Sequence, residues 1–171
     1  MGEQTQVDNG KGDLPAAGET ESGEPGERMV DLGALPSFLG YAIRRAQLTI
    51  SDDFIRTLAA ADLRPAYFYT LLVIQKNPGL NQSDVSAALG LQRTNFVVMV
   101  NDLEGRGLIE RRPSASDRRS YALHLTRKGR ALLARAMELQ AEHQARFVSV
   151  LGAEEHDRLI RLLGKLAESR H

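Results

Sequence analysis

The chain has 171 residues, 42% of them hydrophobic and 26% charged, with no Cys and no Trp. That length allows one domain with a real core, and the lack of cysteine excludes disulfides and cysteine-based redox sensing. No apolar run approaches eighteen residues and the N-terminus lacks a basic-then-apolar leader, so a cytoplasmic protein without a membrane span is expected.

The net charge of zero at first argues against a nucleic-acid binder, but it joins two unlike parts. Residues 1–29 carry seven acids (Glu3, Asp8, Asp13, Glu19, Glu21, Glu24, Glu27) against Lys11 and Arg28. They are rich in Gly, Glu and Pro and hold no aromatic residue, so they read as a disordered acidic tail. The remaining chain, 30–171, reads as one domain and carries 20 bases against 15 acids. Eight of those bases fall within 105–130: Arg106, Arg111, Arg112, Arg118, Arg119, Arg127, Lys128 and Arg130, opposed by Glu110 and Asp117. Such a cluster suits phosphate binding, although a solvated basic surface looks the same in sequence.

Pro36 suits the first turn of a helix. Leu39, Ile43, Ala46, Ile50, Phe54 and Leu58 then recur every three or four residues, predicting one long amphipathic helix over 36–61. A rod of about 39 Å is long for this chain and suggests a helix that serves two cores, its own and a partner's. A second helix is predicted over 65–76, opened by Pro65 and ended by Asn77-Pro78-Gly79. Asn81 and Asp84 have capping-box spacing and open a short third helix, 82–89, that stops at Gly90. A fourth helix follows over 92–105 with Phe96, Met99, Val100 and Leu103 inward.

The period then changes. Leu108–Arg112 reads as a strand, and Tyr121, Leu123 and Leu125 alternate with Ala122 and His124 as a second. The polar stretch 113–120 between them makes a β-hairpin with a charged tip. Thr126 caps a fifth helix running to about 150, and a sixth runs over 153–168 with Glu154 and Glu155 in its first turn and Leu159, Leu162, Leu163 and Leu166 along one stripe. The fold class is mainly α: a winged helix-turn-helix core over 65–125, long N- and C-terminal helices (36–61 and 126–168), and one short hairpin wing. Two short helices and a basic hairpin place one helix in the major groove and the wing at the minor groove. The same elements also serve in modules that contact only proteins.

Residues 80–129 carry a more specific signal, in LEGRGLIERR at 103–112, DRRS at 117–120 and LHLTRKG at 123–129. They resemble the core signature of the MarR family, and the order of six helices around one wing extends the likeness to about 30–169. The resemblance implies a homodimeric, ligand-responsive repressor that binds a double-stranded, pseudo-palindromic operator, with the long helices at 36–61 and 126–168 as its dimerisation helices. It implies an Asp-x-Arg wing at Asp117 and Arg119, the Asp orienting an Arg that enters the minor groove. On the fourth helix, Gln92, Arg93, Thr94, Asn95, Val98 and Asn101 face outward by period. Arg93 suits guanine and Asn95 suits adenine or phosphate. Many family members have a polar residue where Val98 stands; here it either meets a thymine methyl or is partly buried. Arg106, Arg111, Arg112 and Arg118 are phosphate contacts or solvated charges.

The effector implied by the family is a small molecule bound between the dimer helices and the DNA-binding lobe, with Tyr41, Arg44, Arg45, Tyr67 and Tyr69 as candidate lining residues. Phe54 and Phe68 fit core positions better. The stretch DLGALPSFLGYAIRRAQL at 31–48 resembles regulators of aromatic-acid catabolism, which points to an aromatic acid or its coenzyme A thioester. No cofactor is expected. His124, His143, His156 and His171 have no metal-ligand spacing, and no Gly-rich phosphate loop occurs, so an enzyme is not expected.

Overall fold

The computed structural model describes residues 30–113 and 120–169. The acidic tail and the wing-tip residues Asp117, Arg118 and Arg119 lie outside the described residues. Within them the order is a 3-10 turn Leu35–Ser37, α1 (Leu39–Ala59), α2 (Pro65–Lys76), α3 (Gln82–Ala88), α4 (Arg93–Gly105), β1 (Ile109–Pro113), β2 (Tyr121–Leu125), α5 (Arg127–Leu151) and α6 (Ala153–Glu168).

Local chemistry sets most boundaries. The capping box forms, with the Asp84 N–H donating to Asn81 Oδ1 at 3.0 Å and the Asn81 N–H donating to Asp84 Oδ2 at 3.4 Å. Thr126 Oγ1 accepts from the Gly129 N–H at 3.0 Å. Gly90 and Gly152 take the left-handed backbone that stops α3 and separates α5 from α6. The first helix is shorter than its periodicity predicts. Pro36 belongs to the separate 3-10 turn, and Phe38 behind it is extended (φ −86°, ψ 124°), so α1 begins only at Leu39. Its 21 residues span about 31 Å.

The core gathers Phe54 and Leu58 of α1, Phe68, Leu71 and Ile74 of α2, Val85 of α3, Phe96, Val100 and Leu103 of α4, Leu123 and Leu125 of β2, and Leu133 and Ala136 of α5. β1 and β2 pair antiparallel with Ile109 opposite Leu125 and Pro113 opposite Tyr121. The simple alternation fails at one place: Ala122 is buried and Tyr121 exposed. The loop before α3 supplies the reason. The Leu123 N–H donates to Leu80 O at 2.9 Å, and Asn81 bridges Ala122, so β2 has neighbours on both edges and Ala122 lies beneath the second.

Among the described residues two regions have no covering layer. From Leu39 to Asp52 every residue of α1 is exposed except half-buried Tyr41, and α6 is exposed except at His156. Between them lies an apolar groove of about 820 Å³ lined by Leu39, Ile43, Ile50, Leu159, Leu163 and Leu166, among others. Among the described residues no helix is long and apolar enough to cross a membrane.

Candidate nucleic-acid interface

The α3–α4 pair is joined by Gly90 and Leu91, whose N–H donates back to Ser86 O at 2.9 Å. This tight turn presents α4 with Phe96, Val100 and Leu103 in the core and the opposite face in solvent. Gln92, Arg93, Thr94, Asn95, Val98 and Asn101 are all exposed. Val98 is 69% exposed, so it is not a core residue and is free to meet an apolar group such as a thymine methyl. Gln92 is the extended residue preceding α4, and Arg93 to Asn95 form the first helical turn, whose unpaired N–H groups favour an approaching phosphate.

The other basic candidates are divided. Arg106 lies at the far end of α4, where its Nη2 donates to Asp62 O at 2.7 Å and to Asp62 Oδ2 at 3.1 Å. It braces the α1–α2 corner, where Asp62 adopts a left-handed backbone, and is not grouped with Arg93. Arg112 pairs with Glu110 at 2.5 Å toward the exposed end of β1. Arg111 is held by α4, with Nη1 donating to the Glu104 carboxylate and Nη2 donating to Asn101 Oδ1 at 2.7 Å. Asn101 is therefore both exposed and tethered, which its helical period alone does not reveal.

Residues 61–120 match the MarR family model. The chain is 37% identical over 135 residues, 78% of its length, to 81% of a protein of Thauera aromatica assigned to regulation of the hcr operon. It is 35% identical over 122 residues to the transcriptional repressor MprA of Escherichia coli K12, covering 70% of this chain and 69% of that one. The chain belongs to the MarR family. Among solved structures of this family, the repressor CouR bound to a 23-mer DNA duplex superposes with a TM-score of 0.79 and 46% identity, over 82% of this chain and 99% of that one. CouR bound to p-coumaroyl-CoA superposes at 0.76 with 42% identity, over 83% of this chain and all of the other. The likeness covers the six helices and the hairpin, so the MarR-type winged-helix fold read from the sequence is the fold observed.

The candidate effector residues of this MarR-family chain are not gathered in one cavity of a single chain. Tyr41 and Arg45 line a cleft of about 360 Å³ with Leu32, Pro36 and Ala42. Tyr67 lines another, of about 400 Å³, with Ile55, Arg64 and Asp102, while Arg44 is exposed beside neither. Tyr69 lies on a third surface, its ring 5.9 Å from Phe54 and 5.7 Å from Phe68. Phe54 and Phe68 are themselves core residues in edge contact at 5.6 Å. Burial raises the pKa of the Tyr69 phenol; burial, then the Asp102 carboxylate, raises that of Tyr67. Both phenols therefore stay neutral and able to donate a hydrogen bond at physiological pH.

Next to this aromatic surface is a polar clasp with no sequence signal. Buried His143 of α5 stacks on Phe54 at 4.8 Å and meets Phe147 at 5.0 Å. Its Nδ1 donates to Asp53 Oδ2 at 2.7 Å, and Arg146 donates to the same oxygen from Nε at 3.1 Å and Nη2 at 2.7 Å. Asp53 and His143 are 90 residues apart, so only the packing of α1 on α5 brings them together. Hydrogen bonds from Arg146, then from His143, lower the pKa of Asp53. A carboxyl with a depressed folded-state pKa contributes stability that is full above its unfolded pKa and lost as pH falls through the folded value. Asp53→Asn is therefore expected to lower the melting temperature at neutral pH. The gap should close below about pH 4 as the wild-type carboxyl protonates. Thermal melts of both proteins across pH check this; a gap that widens below about pH 4 contradicts it.

Proposed function

We propose that this chain is a non-enzymatic, cytoplasmic repressor that binds a pseudo-palindromic operator as a homodimer and releases it on binding an aromatic acyl-CoA thioester. The observation that carries the reading is the 46% identity to DNA-bound CouR, spanning 82% of this chain, together with the exposure of the whole outer face of α4. The dimer is assigned to α1, α6 and the apolar groove between them, which a second copy covers by two-fold symmetry. That arrangement sets two recognition helices about 34 Å apart, one turn of the duplex.

The separation of the effector residues favours a thioester over a compact acid. Arg45 lies nine residues before Phe54 on α1, a rise of about 13.5 Å, and the exposed Tyr69 ring lies beside Phe54, 5.9 Å from it. A ligand carrying an aromatic group at one end and phosphates at the other engages such distant points; a free aryl acid engages one. Release requires that the ligand bind the DNA-incompetent arrangement more tightly, and DNA must then weaken the ligand by the same factor.

Fluorescence anisotropy with duplex from upstream of the chain's own gene tests the reading. The wild type is expected to bind, and p-coumaroyl-CoA is expected to weaken binding tenfold or more where free p-coumarate does not. Arg93→Ala should cost about 1–3 kcal/mol on the same duplex. A wild type that binds no upstream duplex overturns the repressor reading. Equal responses to acid and thioester overturn the choice of effector alone.

A further inference from the structure

Arg111 is the one point in the described residues where α3, α4 and the wing strand β1 meet through a single side chain. A guanidinium only donates, so every polar atom bonded to it is an acceptor. Around Arg111 these are the Glu104 carboxylate and Asn101 Oδ1, both on α4. With its amide turned so that Oε1 faces the guanidinium, Gln82 at the start of α3 accepts from Nε at 3.1 Å and Nη2 at 3.3 Å. The Arg111 backbone N–H also donates to Glu104 Oε1 at 3.3 Å. The side chain is only 20% exposed, and charge-assisted bonds of this kind are the strong ones.

We propose that Arg111 is a positioning residue for DNA recognition. It fixes the wing to the recognition helix as one body and sets the polarity of the Asn101 amide. The inference rests on the DNA-binding reading above. Reading adenine with asparagine uses the amide oxygen and nitrogen together. Here the oxygen is committed to Arg111, and the Nδ2 amine remains on the exposed stripe of α4. Asn101 thus meets the duplex as a donor, suited to a phosphate oxygen, to guanine O6 or N7, or to thymine O4. Arg111 acts through its neighbours and makes no phosphate contact of its own.

The test is a set of operator titrations at several salt concentrations, with thermal melts alongside. Arg111→Gln is expected to weaken operator binding tenfold or more while the slope of log K against log salt stays that of the wild type. A lost phosphate contact would instead flatten the slope by about 0.9. Asn101→Asp keeps an acceptor for Arg111 but removes the outward donor, and is expected to lose tenfold or more with an unchanged melt. Should Arg111→Gln not fold, Glu104→Gln keeps an acceptor but removes the charge that strengthens this tie, and should show a smaller loss, again with an unchanged slope. Wild-type binding with Arg111→Gln indistinguishable from it, a slope flattened by about 0.9, or an Asn101→Asp protein that binds as well as wild type overturns this inference. A wild type that binds no operator overturns the proposed function instead.

Discussion

Leu159→Glu combined with Leu163→Glu is expected to turn a dimer of about twice the 18.8 kDa chain mass into a monomer that no longer binds a two-site operator. The two residues lie four apart on α6 and line the groove shared with α1. Among the described residues the Leu39–Asp52 half of α1 is exposed except for half-buried Tyr41, and a helix of that length is marginal in water on its own. Soluble monomers also rarely expose a contiguous apolar face of this extent. In the proposed dimer a second copy supplies the missing layer. In a two-fold interface each substitution appears twice, and an unpaired buried carboxylate costs several kcal/mol. Dissociation then removes the second half-site from reach, and linking two sites is worth roughly 10²–10⁴ in affinity. Sedimentation and anisotropy measure both effects, and circular dichroism checks that the lobe is still folded. A double variant that stays dimeric at micromolar concentration would move the interface elsewhere; a wild-type monomer would remove the two-site model.

What could be read in the sequence was local or periodic. Asn81 and Asp84 form a capping box because partners three residues apart meet whatever the tertiary fold. Thr126 and Gly90 mark helix ends for equally local reasons. The exposed stripe from Arg93 to Asn101 follows from the period of one helix whose other face is Phe96, Val100 and Leu103. The early start given to the first helix has a local cause too, since Pro36 fits a 3-10 turn as well as an α-helix and nothing before Phe38 distinguishes them. The remaining differences are non-local. Ala122 is buried by Asn81 across a bridge between segments about forty residues apart. Asp53 meets His143 only after α1 docks on α5. Arg106 and Arg111 look in sequence like free cations of a basic patch, and each proves bonded to acceptors on another element. A count of charges cannot distinguish a cation that faces solvent from one that braces a corner. Likewise Tyr67 and Tyr69 line separate surfaces because residues two apart diverge around a helix axis, whereas Tyr41 and Arg45, one turn apart on α1, share a cleft.

Gly129→Ala is expected to be the most damaging single substitution to stability, for a reason confined to one atom. Gly129 closes the segment 123–129 and lies in the first turn of α5, buried against the end of the recognition unit. A Cβ there would stand 1.9 Å from the Leu108 carbonyl oxygen and 2.9 Å from its carbon, far inside van der Waals contact. Neither side can yield cheaply. The same oxygen accepts from the Thr126 N–H at 3.1 Å and Thr126 Oγ1 at 3.2 Å, and Leu108 is itself buried. Thr126 and Gly129 thus act together: the hydroxyl caps α5 while the missing side chain lets the helix approach the Leu108 backbone just before β1. Overpacking usually costs about 1–3 kcal/mol and more against fixed groups, so about 3 kcal/mol and a fall of roughly 10 °C in melting temperature are expected. Gly105→Ala is the control, since nothing lies within 4 Å of its would-be Cβ and alanine is the better helix former. Its melt should match or slightly exceed that of the wild type. If Gly129→Ala melts with the control, α5 is free to shift past Leu108, and the wing and α5 are not held in one frame by this contact.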